Sequence, residues 1–276
     1  MNQEKVTPVF QLFEQQLDTA SKLFTDLSRQ FKTKKAIELE EKLIFLEIYI
    51  QLLSKIHFEE KNLNFKLFSP FKKLFKLLKK VLHLKLIRDA LAEKSLSQSY
   101  GSFDNYLLKE KSELYTDTFD HILSLPGNIW EELYIEVRTH STGIRPLMVN
   151  TSTTQIINEE LEFSYFDSLH DPTAKSIKDI YESLQIIIAV ENFRMISGLN
   201  AVFTQAIHDD MNELSKSLYL WYQNHLLLQQ LTHFFSEKDT ITDKYKKLLN
   251  DIKKTKKRLT TNVISQSKVL FTERLH

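Results

Sequence analysis

The chain has 276 residues, of which 42% are hydrophobic and 11% aromatic, enough to fill one large domain or two smaller ones. Four glycines and five prolines are too few for a sheet with frequent turns, so we predict an all-α protein. The absence of cysteine excludes disulfides and thiolate metal sites. With 37 basic and 36 acidic residues the net charge is +1, so no global field attracts nucleic acid, and any anion site must be local.

The first two helices follow from apolar residues at helical spacing. The pattern predicts one helix over 8–30, with Thr7 as its N-cap and Pro8 at its first position, and another over 33–56. The N-terminal sequence MNQEKVTPVF lacks the apolar run of a signal peptide, and the most apolar window, 217–235, is too polar for a membrane span. These patterns predict a cytoplasmic protein without membrane contact.

The third predicted helix, 65–89, carries the strongest functional pattern. Its cationic face, which we call the lysine stripe, recurs at i, i+4, i+7 and i+11 and consists of Lys72, Lys76, Lys79 and His83. The opposite, apolar face consists of Phe71, Leu74, Leu78, Val81 and Leu82. Arg88 and Asp89 fall in the apolar sector, so we expect both to be mostly buried as a pair. A row of cations favours an anion-binding surface, although charge runs often form a solvated face.

The remaining chain also reads as helix, with two interruptions. A helix over 103–124 ends at Leu125-Pro126-Gly127, and residues 141–155 are predicted to be irregular. The other predicted helices cover 128–140, 155–169, 173–193, 195–212, 214–235 and 239–273. The last contains a second candidate anion surface, formed by Lys246, Lys247, Lys253, Lys254, Lys256, Lys257 and Arg258.

Two short matches indicate an internal duplication. Arg88-Asp89 in the first half and His208-Asp209 in the second are separated by 120 positions (208 minus 88), and we place each pair late in its helix. The predicted halves are 1–125 and 155–276, joined by the segment 126–154.

The sequences IRD at 87–89, IHD at 207–209 and IKDIY at 177–181 resemble the CHAD family, the conserved histidine α-helical domain. The resemblance implies two similar four-helix-bundle halves related by a pseudo-twofold, with a basic groove that binds inorganic polyphosphate. The chain departs from the family where its histidine and basic positions fall on Glu38, Glu41 and Phe45.

We expect a non-catalytic polyanion-binding module located in the cytoplasm at polyphosphate granules, with no cofactor, catalytic residue or metal ligand. The sequence contains no phosphate-binding glycine loop, nucleophile elbow or zinc spacing. The candidate polyanion-binding residues are Lys72, Lys76, Lys79, His83, Arg88, Lys175, Lys178 and His208. The alternative is a structural or protein-interaction domain that has lost the ligand site through Glu38 and Glu41.

Overall fold

The computed structural model describes residues 7–95, 99–167, 172–238 and 240–275, and every regular element in these ranges is helical. The helices are α1 (Pro8–Arg29), α2 (Thr33–Ile56), α3 (Leu63–Phe68), α4 (Lys72–Lys94), α5 (Gly101–Ser124), α6 (Ile129–Ser141), α7 (Pro146–Asp167), α8 (Ala174–Ile196), α9 (Gln205–Ser236) and α10 (Asp243–Lys268). A 3-10 turn (Ser69–Phe71) precedes α4, and a π-helical turn (Val269–Arg274) follows α10. The all-α prediction is confirmed for the described residues. Among them, no helix combines the length and apolarity needed to cross a membrane.

The N-terminal helices follow their local sequence signals closely. The Thr7 side chain accepts a hydrogen bond from the Phe10 backbone N–H at 3.3 Å, and Pro8 occupies the first turn, where its missing N–H costs nothing. The predicted second helix, 33–56, has the same bounds as α2. The start of α1 is therefore encoded by a few neighbouring residues.

The predicted helix over 65–89 is interrupted at its start. Pro70 cannot donate a backbone hydrogen bond, and the chain forms the 3-10 turn there before α4 begins at Lys72. Within α4 the apolar face is confirmed, because Phe71, Leu74, Leu78 and Val81 are buried. Leu82 is half-buried.

Residues 141–155 are mostly helical, which contradicts the prediction of an irregular segment. Helix α7 begins at Pro146, an imino acid well suited to a first helical position. The serine- and threonine-rich stretch has weak helix propensity, but Val149, Ser152, Thr153 and Ile156 are all buried. Burial of these side chains therefore outweighs the weak helix propensity of the stretch.

The predicted helices over 195–212 and 214–235 are also wrong in their bounds. Helix α8 ends at Ile196, and Gly198 adopts a φ of +79° just beyond it, as is common after a helix C-terminus. Helix α9 then begins at Gln205 and runs without interruption for 32 residues. The His208-Asp209 pair consequently lies in the first turns of α9 rather than late in a helix.

The chain divides into two compact units built from interleaved segments. The first comprises Met1–Val81, Leu114–Asn158 and Ala189–Val202, and the second comprises Leu82–Glu113, Glu159–Ile188 and Phe203–His276. Helices α4, α5, α7 and α8 each contribute residues to both units.

In the first unit, α2 packs against α1, α3 and α6. Aromatic side chains fill much of its core: Phe13 lies 4.7 Å from Tyr49, and Phe71 lies 4.9 Å from Trp130, measured between ring centroids. The Tyr49 hydroxyl and the Ser141 hydroxyl are 3.0 Å apart, which satisfies a polar group inside this core.

The second unit is organised around α9, which packs extensively on α10. Its core includes the fully buried Trp221 and Phe103, and the Phe103 ring lies 5.2 Å from the ring of Phe234. The Tyr245 hydroxyl accepts a hydrogen bond from the backbone N–H of Phe103 at 3.2 Å, which ties α10 to the start of α5.

Candidate anion-binding site

Three consecutive polar side chains of α9 connect this helix to its neighbours in the second unit. The Tyr222 hydroxyl lies 2.9 Å from His83 Nε2 of α4. The Gln223 amide donates to the backbone oxygen of Leu86 at 3.3 Å. The Asn224 amide donates to the backbone oxygen of Ile252, in α10, at 3.2 Å. Because all three α9 residues are buried, these bonds position α9 against α4 and α10.

His225 follows Asn224 on α9 and lies near two lysines, Lys178 and Lys256. Its ring stacks on the indole of Trp221, with centroids 4.9 Å apart and planes at 18°. Trp221 is itself held by a 2.9 Å hydrogen bond from its Nε1 to Thr260 Oγ1. His225 Nδ1 accepts a hydrogen bond from Lys256 Nζ at 3.1 Å. The imidazole is thus fixed in orientation by one aromatic and one cationic neighbour.

Lys178 of α8 adds a second positive charge near this imidazole. Burial, together with the charges of Lys256 and Lys178, lowers the pKa of His225 to about 4. His225 is therefore neutral at physiological pH. Since Nδ1 accepts from Lys256, the ring proton resides on Nε2, which is a hydrogen-bond donor. We call Lys178, Trp221, Tyr222, His225 and Lys256 the His225 cluster.

Lys256 differs in its ion pairing from Lys35 and Lys94, which are also half-buried. Lys35 lies 2.5 Å from Asp26, and Lys94 lies 2.6 Å from Asp251. Among the described residues Lys256 forms no ion pair, although it is half-buried and burial lowers its pKa. Its contacts are the neutral His225 and the Trp221 ring, whose centroid is 5.9 Å from Nζ. A partly desolvated ammonium without a counter-charge is suited to receive an anion.

One predicted site residue, Lys178, belongs to this cluster, and a second, His83, contacts it. His83 contacts Tyr222, and Lys178 influences His225 while forming an ion pair of 3.6 Å with Glu182. Lys175, one helical turn before Lys178, is exposed. Burial, followed by the charge of Glu182, raises the pKa of Tyr222 to about 12, so its hydroxyl stays protonated and uncharged.

The three lysines of the lysine stripe belong to the first unit, and two of them lie near acids of α2. Burial raises the pKa of Glu40 to about 7, and the charge of Lys79 opposes this shift. Burial also raises the pKa of Glu47, against the charges of Lys72 and Lys79. Lys76 is exposed. The positive charge of the stripe is therefore partly compensated by these nearby acidic side chains of α2.

Arg88 and Asp89 are not a buried pair, which corrects the expectation from the sequence. Asp89 is exposed and accepts a hydrogen bond of 2.6 Å from Lys85, four residues earlier, which is itself exposed. Arg88 is half-buried, and its Nε atom is buried without an acceptor among the described residues. The edge of α4 that carries Asp89 faces solvent because Leu84, Ile87 and Leu91 form the buried side of this helix.

His208 is the last of the predicted polyanion-binding residues. It is half-buried in the first turns of α9, and its ring centroid lies 6.5 Å from that of Phe203. Asp209 accepts from Gln205 at 2.9 Å.

The sequence patterns missed His225 and Trp221 as functional candidates. His225 was visible only as a polar interruption in an apolar window, and Lys256 only as one of the seven basic residues of the second candidate anion surface. The available signal is the four-residue spacing of Trp221 and His225, which places both on one face of α9. No local pattern could indicate that Lys256 approaches that face.

Two concave surfaces of the described chain are lined by none of the predicted site residues. A groove of about 420 Å³ in the first unit runs between α3 and α6, and its lining residues are Lys66, Leu67, Pro70, Phe71, Ile129, Glu132, Leu133, Ile135 and Glu136. A smaller concavity of about 180 Å³ in the second unit includes Asp210 and Glu213 in its lining. Among the described residues, no group of three or more histidine or acidic side chains could hold a metal ion.

Comparison of the chain with protein-family models, curated proteins and solved structures found no match.

Proposed function

We propose that this chain is a non-catalytic module that binds a polyanion, with inorganic polyphosphate as its ligand. The observation that carries the proposal is the half-buried Lys256, which approaches neutral His225 and has no carboxylate partner among the described residues. A phosphate oxygen would supply the missing counter-charge through a charge-assisted hydrogen bond. Lys178 would contribute a second cation near the same imidazole.

His225 would act as a neutral donor at this site. Its Nδ1 is occupied by Lys256, so its Nε2–H is the group available to a phosphate oxygen. The stacking on Trp221 would hold the ring in place, so that little side-chain entropy is lost on binding. Ligand contact would thus involve two ammonium groups and one fixed imidazole.

The resemblance to the CHAD family is consistent with this ligand and leads us to propose the family's duplicated architecture. The halves would be 1–125 and 155–276. One local feature supports their similarity: Lys85 donates to Asp89, and Gln205 donates to Asp209, each across four residues. The remaining predicted residues, Arg88, Lys175 and His208, would provide further contacts in the second unit. A chain with this function would act in the cytoplasm, at polyphosphate granules.

The lysine stripe of the first unit would bind polyphosphate more weakly than the His225 cluster. Lys72 and Lys79 lie near Glu47, whose carboxylate would repel phosphate. Lys72 Nζ is also held over the Phe65 ring, 4.2 Å from its centroid.

The test is a titration with long-chain polyphosphate at several salt concentrations. Each neutralised phosphate on a flexible single-stranded polyanion contributes about 0.7 to the slope of log affinity against log salt, by analogy with single-stranded nucleic acid. The double variant Lys178→Gln, Lys256→Gln should therefore lower the slope by about 1.4. The triple variant Lys72→Gln, Lys76→Gln, Lys79→Gln measures what the stripe contributes, up to about 2.

A matched control replaces two exposed lysines that already have acidic partners, Lys22 and Lys109, with glutamine. This double variant loses the same charge as the cluster variant and should bind with a nearly unchanged slope. Equal losses in the two double variants would indicate a diffuse charge effect and contradict a defined site. Absence of binding by the wild-type chain at about 20 mM salt, where screening is weak, would exclude the proposal as a whole.

A protein-interaction domain is the second candidate, and the groove between α3 and α6 favours it. The groove has an apolar floor that includes Leu67 and Leu133, and Ile135 on its rim is 54% exposed. Phe58 and Phe65, also in the first unit, are 78% and 61% exposed. Concentrated exposed apolar surface marks interaction sites. If this is the function, Ile135→Glu should release partners captured by the wild-type chain, whereas Lys178→Gln should retain them.

A further inference from the structure

We propose that Lys256 is a site of covalent modification, where its side-chain amine forms an imine with a small aldehyde. The inference concerns the same cluster as the proposed polyphosphate site, but it does not depend on phosphate binding, because an uncharged aldehyde is sufficient. It rests on the surroundings of this amine compared with those of its neighbours on α10.

Lysines are frequent on this part of α10, but their environments differ. Lys253, Lys254 and Lys257 are exposed, so water stabilises their ammonium form. Lys256 is half-buried, and its Nζ lies 3.1 Å from His225 Nδ1 and 5.9 Å from the centroid of the Trp221 ring. A single turn of one helix therefore contains both the candidate and its controls.

The environment of Lys256 favours the neutral amine, which is the form that attacks carbonyl carbon. No carboxylate among the described residues stabilises its ammonium, and burial lowers its pKa. His225 Nδ1, 3.1 Å from Nζ, can accept one N–H of the neutral amine, which leaves the nitrogen lone pair available. Because burial also makes His225 neutral, the pair carries little charge when the lysine loses its proton.

The chemistry needs no oxidant, reductant or cofactor. The amine lone pair forms a bond to the carbonyl carbon, and the carbonyl oxygen takes a proton to give a carbinolamine. Loss of the hydroxyl group with a proton from nitrogen then releases water and leaves the C=N bond. The product is reversible by hydrolysis until it is reduced.

The test uses the full chain with pyridoxal below one equivalent at neutral pH, and cyanoborohydride to reduce the imine and trap it. Peptide mapping by mass spectrometry assigns each adduct. We expect the dominant adduct on Lys256, ahead of the more exposed Lys253 and Lys257. The Lys256→Arg variant should lose this adduct, whereas the control Lys253→Arg should retain it.

Adducts distributed over the α10 lysines according to exposure would overturn the inference, and so would an unchanged total yield in Lys256→Arg. The wild-type distribution decides the question even if the variant folds poorly. The labelling contains no phosphate, so its outcome does not depend on the polyphosphate titration. A dominant Lys256 adduct in a chain that does not bind polyphosphate would support this inference while excluding the proposed function.

Discussion

Glu191 and Arg194 are both buried at the end of α8, one helical turn apart, and each binds the loop that follows the helix. Their side chains approach to 3.6 Å. Glu191 accepts from the backbone N–H of Val202 through both carboxylate oxygens at 3.0 Å. Arg194 donates to the backbone oxygen of Asn200 from Nε at 3.0 Å and Nη2 at 2.8 Å. Its Nη1 donates to Thr153 Oγ1 of α7 at 2.6 Å, so one guanidinium joins the loop to a second helix.

This network should make Arg194 one of the most sensitive positions of the first unit. Arg194→Met should cost about 3–5 kcal/mol of unfolding free energy, because it removes the guanidinium that lies beside the buried Glu191 carboxylate. Urea denaturation measures the loss. Asp89→Asn removes an ion pair that is exposed on both sides and should cost less than about 1 kcal/mol. Similar losses in the two variants would contradict a buried network.

Gly198 should be hard to replace because of its backbone conformation. Its φ is +79°, in the left-handed region, so Gly198→Ala should cost about 1–2 kcal/mol in the same denaturation assay. Gly127 is the matched control: its φ is not positive, and a Cβ there would meet no heavy atom within 4 Å. Gly127→Ala should change stability by less than about 0.5 kcal/mol. A neutral Gly198→Ala variant would contradict the left-handed conformation.

Glu40 should make stability fall as pH rises toward neutrality. Burial raises its pKa in the folded chain to about 7 from an ordinary value of 4.5. The folded state therefore holds this proton more tightly, and the associated stability is fully present below about pH 4.5 and lost as pH passes about 7. Glu40→Gln cannot ionise, so its stability relative to the wild type should rise by about 2–3 kcal/mol between pH 5 and pH 8.

Denaturation curves of both proteins across this range measure the difference. Lys79→Gln offers an independent check of the sign, because the charge of Lys79 opposes the raised pKa of Glu40. Removal of Lys79 should extend the loss of stability to higher pH and make the total loss larger. A stability difference that is flat with pH would mean that Glu40 is solvated.

His225 should titrate far below an ordinary histidine. Burial, together with Lys256 and Lys178, lowers its pKa to about 4, so its ring resonances in NMR spectra should change only near that pH. Because the folded pKa is below the ordinary value of 6.5, the stability linked to this residue is present above pH 6.5 and lost as pH falls toward 4.

Variants of the two lysines identify the source of the shift in the His225 pKa. Lys256→Met and Lys178→Gln should each raise this pKa, because each removes a nearby positive charge. Lys175→Gln, at an exposed position one turn away, is the control and should leave the titration unchanged. Equal effects at Lys175 and Lys178 would indicate long-range charge rather than the cluster geometry.

The sequence by itself determined the helical class and several helix bounds. Glycine and proline are scarce, and apolar residues recur at the helical period, so α1, α2 and the buried face of α4 could be predicted from neighbours a few residues apart. Thr7 marks a helix start by accepting a hydrogen bond from the Phe10 N–H, and Pro8 does so by its fixed φ. Polyphosphate binding and the internal duplication stay predictions.

Tertiary structure decided the polar contacts and the elements that depend on them. Helix α7 begins at Pro146, before its predicted start, because its weakly helical residues are buried and Thr153 binds Arg194, 41 residues away. Lys256 contacts His225, which lies 31 positions away in the sequence, and Tyr222 contacts His83, which lies 139 positions away. Periodicity assigns a residue to a face of its own helix, but which distant side chain lies opposite depends on how the helices pack. The desolvation and charge that set the pKa of His225 arise only from that packing.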